Sequence, residues 1–416
     1  MNKFISYKQW VNEAVTPTVN KHMTHAEDLV MLGGKEGIDW VINMFKSLYK
    51  ILQGHTEKED VKLSVKFDGA PAVFVWSKFP GLDKPGIAIK GLFAKDRKIM
   101  FSSSDVDKFY KDRPDLAFKL KYMLKFVPKL GIPKGQIWQG DFLFDETTLK
   151  TEDNHYVFHP NTIVYKVDKD SDLGKKIKKA KVGVVWHTRY TGESLEKIEA
   201  KYNAKANELN SIPEVFMTDA YIPSLAGIVT FTEEESNKFT EFISKLEENR
   251  KIVESSPEYE RIIKDNNFIS LFTIFQNSLI KRNIRINSSE EYLDELKSFV
   301  VNRYQKDIEG KKTEKSKTAL VEKLNKLISD IENNDILKHL IELILEITNI
   351  KHMFIKKLNN IGKFETFLQT RSRKYITTGD EGFAVSDMHG NIVKLVDRYE
   401  FSYANFSPNI LKGWTK

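Results

Sequence analysis

Between Leu63 and Trp76 the sequence reads LSVKFDGAPAVFVW. An apolar run breaks at Lys66-Phe67-Asp68-Gly69-Ala70-Pro71 and then resumes. A lysine and an aspartate two apart at such a break have two readings. They are the polar rim of a turn, an exposed ion pair worth under about 1 kcal/mol. Alternatively, the lysine is a nucleophile and must present a free amine. With an ordinary pKa near 10.4, deprotonation near neutral pH costs roughly 4 kcal/mol, which burial and neighbouring cations reduce. A second group of chemistry-bearing residues, His22, His25, Glu27 and Asp28, crowds the N-terminal arm. Imidazole and carboxylate suit zinc or manganese, but a helix N-cap with solvent-facing histidines is the plainer reading.

The elements that must hold these residues change character along the chain. Residues 26–53 carry Ile38, Val41, Ile42, Phe45 and Leu48 at helical spacing. Thr24 or His25, ahead of Glu27 and Asp28, suits the start of that helix. From 60 to 235, short β-branched and aromatic runs recur between turn signals. They predict strands at 61–67, 71–77, 86–92, 137–144, 155–158, 162–167 and 181–189. A helix at 105–128 interrupts them, with Pro114 marking a kink or a second start. From 231 to 370 the pattern is helical, with a stripe at Leu320, Leu324, Leu327, Ile328 and Ile331 that reads as bundle core. After 374 a hairpin is expected around Gly390-Asn391, its strands completing the first sheet. The expected fold class is α+β on mostly antiparallel sheets, with the helical block inserted between two parts of one core. The division is a helical segment at 1–58, core at 59–230, insertion at 231–370 and the remaining core strands at 371–416.

Composition bounds the function. The 416 residues include 65 Lys and Arg against 58 Asp and Glu, a net charge of +7, and no cysteine. Thiolate nucleophiles, disulfides and Cys-ligated zinc are excluded. The basic balance tilts toward a nucleotide or nucleic-acid partner. No signal-peptide core and no run of about 18 apolar residues occurs, so no membrane association and a cytoplasmic location are expected.

Six short motifs, in order, resemble those of the covalent nucleotidyltransferases: ATP-dependent RNA and DNA ligases and mRNA capping enzymes. Lys66-Phe67-Asp68-Gly69 matches the Lys-x-Asp-Gly whose lysine carries the nucleotide. Lys90-Gly91 in IAIKGLF matches a Lys-Gly at a strand end. Gly140-Asp141 in IWQGDFLFD stands where Gly-Glu is usual, and Trp186 in VVWHTRYTGE stands at the base-stacking aromatic, with His187 replacing an Asp. Glu381-Gly382 in DEGFAVSD matches the Glu-Gly strand, and Lys394 in NIVKLVDR the final lysine strand, with Val396 at its second lysine. Ala226–Val229, AGIV, is a rival for the Glu-Gly motif but lacks the carboxylate. The wording HMTHAED, KFDGAPA and KLVDRYEF also resembles an uncharacterised family of large tailed phages.

The resemblance implies an ATP-grasp-like, antiparallel-sheet nucleotidyltransferase core of ligase type and a covalent lysyl-AMP at Lys66. Lys394 assists as a cation. Asp68, Gly69, Lys90, Asp141, Trp186 and Glu381 bind the nucleotide, and Asp141 and Glu381 hold Mg²⁺ or Mn²⁺. Twenty-two residues follow Lys394, too few for the oligonucleotide-binding barrel of DNA ligases and capping enzymes. RNA ligases, with variable accessory domains, resemble the pattern better. The expected protein is therefore an ATP-dependent polynucleotide ligase with a nucleic-acid substrate, acting in an infected host cell. Two rivals remain: AMP transfer to another acceptor, and a phage interaction or structural protein without turnover. Nothing in the pattern speaks to oligomeric state.

Overall fold

The computed structural model describes residues 23–54, 61–222, 229–361 and 364–414. His22 and residues 226–228 of the AGIV stretch lie outside them. The chain begins with β1 (Thr24–His25), α1 (Leu29–Leu32) and α2 (Gly34–Leu52). Next come β2 (Val61–Lys66), β3 (Ala72–Trp76), β4 (Gly86–Ala88), β5 (Ile99–Met100), α3 (Ser103–Tyr110) and α4 (Pro114–Phe126). Strands β6 (Gln136–Asp145), β7 (Lys150–Glu152), β8 (His155–Phe158) and β9 (Ile163–Asp168) lead to α5 (Asp172–Ile177). Strands β10 (Val182–Gly192), β11 (Ile198–Lys201) and β12 (Val215–Asp219) follow. The helical block is α6 (Glu233–Glu254), α7 (Pro257–Lys264), α8 (Asn266–Arg282), α9 (Ser289–Glu309), α10 (Glu314–Glu332) and α11 (Asp335–Leu358). The chain closes with β13 (Glu365–Gln369), β14 (Tyr375–Thr377), β15 (Gly382–Asp387), β16 (Ile392–Leu395) and α12 (Tyr403–Phe406).

These elements form an α+β fold with three open sheets, ordered β1-β16-β15-β2, β11-β10-β6-β3-β4-β5 with β12 beside β10, and β14-β13-β9-β8-β7. Most pairs are antiparallel; β1 on β16 and β12 on β10 are parallel. The first sheet follows from strict alternation. Val61, Leu63, Val65, Phe383, Val385, Val393 and Leu395 are buried on one face, and Lys62, Ser64, Lys66, Ala384 and Lys394 fall on the other. The apolar face joins α2 and α11 in one continuous core. Burying an aliphatic side chain there contributes roughly 1.5–3 kcal/mol.

Strands β2 and β3 do not form a hairpin. Each enters a different sheet, and Phe67–Pro71 crosses between them. The segment after β12 ties the sheets together, since Val65 N donates to Ala220 O at 2.8 Å and Ile222 N to Leu63 O at 3.0 Å.

Several boundaries differ from the expectation for identifiable reasons. Thr24 and His25 form a strand beside β16 instead of a helix cap. The first helix breaks where Gly34 takes φ +60°, a conformation costly for residues with a Cβ. The helix at 105–128 is two helices: Ser102 caps α3 through a reciprocal bond with Asp105, and Pro114 opens α4. The strand at 86–92 stops at Ala88, and Lys90–Phe93 form a 3₁₀ turn.

The stripe on α10 packs at the edge of the bundle core. Ile331 is buried and Leu324, Leu327 and Ile328 are partly buried against that core, because α10 lies at the rim with α9 as its principal neighbour. The centre of the bundle is α11, which buries Leu337, Leu340, Ile341, Ile344, Ile347 and Phe354. The helical block shares its core with the first sheet. Sheet structure resumes at Glu365, where β13 pairs with β9, so the helical run ends before residue 370.

Candidate functional site

The small-residue face of the first sheet and the face of β6 and β10 bearing Asp141 and Val185 enclose a cleft of about 400 Å³. That volume suits a small-molecule ligand. Lys66, Lys90, Asp141, His187 and Ala384 are among its walls. Register explains the arrangement. Across β3, β6 and β10, Ala72, Asp141 and Val185 stand in one row. Across β2, β15, β16 and β1, Ser64, Ala384, Lys394 and His25 stand in another, with Lys66 opposite Gly382 next to it.

Lys66 Nζ donates a hydrogen bond to Glu381 Oε1 and forms an ion pair with it, joining residues 315 positions apart. Burial draws the Lys66 ammonium toward neutrality. The charge and hydrogen bond of Glu381, with the charges of Asp141 and Asp68, outweigh that pull and leave its pKa above the ordinary value. The resting amine is therefore an ammonium held by carboxylates, in contrast to the lowered pKa anticipated from burial and neighbouring cations. Burial pushes the Glu381 carboxyl up to about 7 despite the attraction of Lys66, with Asp68 and Asp141 adding to the rise. Its neighbour Asp380 is also raised to about 7 by burial. Lys394 moves the other way: burial first, then repulsion from Lys66, lowers its pKa.

Asp141 projects from β6 with His187 Nε2 at 3.6 Å from its Oδ2. His187 is the unpaired residue of a β-bulge, a register shift against β6 between Trp186 and Thr188. It also shares a hydrogen bond between Nδ1 and Thr188 Oγ1 at 2.7 Å. The sequence marks His187 only as a departure from a motif; the bulge, which brings Thr188 into the cleft beside it, carries no local signature.

Three expected nucleotide-binding residues take other roles. Trp186 is fully buried, edge-on to Trp138 with centroids 6.0 Å apart, and is no platform for a base. The alternation that turns His187 toward the cleft sends Trp186 into the core with Trp76 and Trp138. Asp68 is 3% exposed, and its carboxylate accepts from Thr162 N at 2.6 Å, Ile163 N at 2.8 Å and the Asn161 amide. It anchors the start of β9 instead of lining the cleft. Gly69 is required by strand crossing: an added Cβ would lie 2.5 Å from the Asp141 Cβ. Lys66, Lys90, Asp141, Glu381 and Lys394 do converge, with Lys90 on the exposed wall.

Residues without a motif complete the cleft. Tyr190 donates from its hydroxyl to Gln139 Oε1 at 2.5 Å, and Tyr202 and Thr188 lie alongside. For Gln139, Thr188 and Tyr190 the only sequence signal is β alternation on β6 and β10, and Tyr202, just past β11, has none.

The N-terminal cluster is committed elsewhere. Glu27 pairs with the buried Lys351 at 2.6 Å, and Asp28 with Arg398 at 3.0 Å. His25 is buried beside Lys394, and burial followed by the charges of Lys394, Arg398, Lys351 and Lys66 hold its pKa well below 6.5. No group of three or more His, Asp or Glu residues able to hold a metal ion occurs among the described residues. No described helix is long and apolar enough to cross a membrane.

No curated protein and no solved structure matches this sequence. A family described only as of unknown function, DUF6267, matches residues 20–410, nearly the whole length, and the chain belongs to that family.

Proposed function

We propose that the protein is a covalent nucleotidyltransferase of ligase type, forming lysyl-AMP at Lys66 from ATP. The observation that carries the reading is the Lys66–Glu381 ion pair in the cleft, with Asp141 and Lys394 close enough to shift the titration of the pair or be shifted by it. The chemistry follows from these groups. Glu381, near neutral in pKa and hydrogen-bonded to Nζ, takes a proton from Lys66. The freed lone pair attacks the α-phosphorus, the bond to the β-phosphate bridging oxygen breaks, and pyrophosphate leaves. Lys394 and Lys90 offer positive charge to the phosphate oxygens. The AMP then passes to a 5′-phosphate, and a 3′-hydroxyl displaces it.

The residues fit a divalent cation. Mg²⁺ takes one or two carboxylates plus substrate phosphates and needs no full protein cage. Asp141 would hold it, where it would neutralise charge on the triphosphate, while Glu381 keeps its hydrogen bond to Lys66.

Two observations favour a second reading, a binding protein without turnover: Lys66 is held protonated, and Asp68 is engaged by the backbone at Thr162 and Ile163. Incubation with α-labelled ATP and Mg²⁺, followed by denaturing electrophoresis, separates the two. A label that survives denaturation and disappears in Lys66→Ala supports transfer. Absence of label with each of the four nucleoside triphosphates excludes it.

A further inference from the structure

Charge is unevenly distributed over the surface. Residues 117–135 and 173–183 together contain ten lysines and no Asp or Glu, in a chain whose net charge is +7. The two stretches are far apart in sequence but meet at Glu146. Tyr122 of α4 donates to Glu146 Oε1 at 2.7 Å, and Lys181, at the entry to β10, lies 3.7 Å from Glu146 Oε2. Lys121 is paired with Asp107 and Lys175 with Asp172. Lys125, Lys129, Lys176, Lys178 and Lys179 are exposed and have no ion-pair partner among the described residues. A stacked aromatic pair, one ring exposed and one half-buried, accompanies them. Phe118 is 41% exposed and stacks on Tyr122, with centroids 5.5 Å apart and planes 21° apart.

We infer that this face, α4 together with the α5–β10 connection, binds a single-stranded nucleic acid. Unpaired lysines at this density attract a polyanion, and counterion release supplies affinity without sequence preference. An exposed phenyl ring, Phe118 stacked on Tyr122 among those lysines, adds what a strand with bases can use and a bare polyphosphate cannot. The face also adjoins the segment that follows Lys66. Phe118 and Lys119 border a groove of about 1130 Å³ that reaches Ala70 and Pro71, just after the Lys66–Gly69 stretch. Asp112, Asp115 and Asp145 also line this groove. The phosphates therefore follow the lysines outside it while a base at the strand end turns toward Phe118. Binding stands independently of the covalent chemistry; only the strand's role as acceptor of AMP rests on the nucleotidyltransferase reading.

The test is fluorescence anisotropy of a labelled 20-nucleotide single strand, as RNA and as DNA, on the full chain across a salt series. The wild type should bind with affinity falling as salt rises. The variant Lys125→Glu/Lys176→Glu/Lys178→Glu/Lys179→Glu should bind at least tenfold more weakly, its log–log salt slope reduced by about 3. A control with the same change in net charge, Lys311→Glu/Lys312→Glu/Lys315→Glu/Lys323→Glu on the helical block, should stay within threefold of wild type. Phe118→Ala should weaken the oligonucleotide severalfold and leave inorganic polyphosphate unaffected. Equal loss in the control variant, no salt-dependent binding, or tighter capture of phosphatidylserine vesicles through the same lysines would each overturn the inference. Oligonucleotide binding without covalent labelling would leave it standing and remove the lysyl-AMP reading. Labelling without oligonucleotide binding would do the reverse.

Discussion

Lys66, at the end of β2, and Glu381, just ahead of β15, share a hydrogen bond where the two strands pair, although 315 positions separate them in the chain. The pair fixes a proton in a cleft whose other charged groups are Asp141, Lys394 and Lys90. It also sets how the site responds to pH.

If Glu381 receives the Lys66 proton, covalent labelling rises about tenfold per pH unit as pH approaches 7 and levels off above it. The stability effect of the same group has the opposite sign. The folded pKa of Glu381 is raised, so its contribution is fully present below about 4.5 and is lost as pH rises through about 7. Wild type should therefore lose roughly 2 kcal/mol relative to Glu381→Gln between those limits. Urea titrations of both proteins at a series of pH values measure this difference. A constant difference would remove the assignment.

Asp68 should behave as a structural residue. Asp68→Ala leaves the amides of Thr162 and Ile163 unpaired and should cost about 3 kcal/mol or more. The loss is read from the denaturation midpoint. Nucleotide affinity, measured well below that midpoint by calorimetry, should change less than threefold.

Trp186 tests the corrected base site. Trp186→Ala should destabilise the fold by about 3–5 kcal/mol through the cavity left beside Trp138. Trp186→Phe should be tolerated better, since the indole Nε1 has no hydrogen-bond partner to lose. ATP affinity unchanged in Trp186→Phe supports the core role; a large loss of affinity at unchanged stability would restore the stacking role.

Glu27 and Lys351 join the N-terminal strand to the bundle's central helix in a buried ion pair. Lys351→Met should cost about 3 kcal/mol because it leaves a buried carboxylate with only the Arg398 guanidinium, 3.9 Å away. The double variant Glu27→Gln/Lys351→Met should recover most of that loss. A double-mutant cycle by chemical denaturation gives the coupling, and additive losses would show that the two residues act separately.

Which parts could be read from sequence follows from where the information sits. Helix α2 and strands β2, β6 and β10 follow from short-range periodicity, and Glu381 and Lys394 were placed with Lys66 by motif order. Asp68 matched the same motif, yet its carboxylate turns to Thr162 and Ile163, a pairing across about 95 positions that no local pattern encodes. Trp186 and His187 take opposite faces by plain alternation, but the bulge that follows Trp186 shifts the faces by one residue and brings Thr188 into the cleft as well. The α10 stripe has the spacing of a buried face, but burial also requires a neighbour on that side, and α10 sits at the rim. The basic face arises from two separate stretches, so neither alone marks a surface.

Every step proposed for the cleft depends on Lys66 becoming covalently bonded to AMP. Mass spectrometry of the protein after incubation with ATP and Mg²⁺ reads that bond. An added adenylyl group should map to the peptide containing Lys66 and be absent from Lys66→Ala. An unmodified Lys66 peptide after incubation with every nucleoside triphosphate, in a sample shown to bind nucleotide, would contradict it.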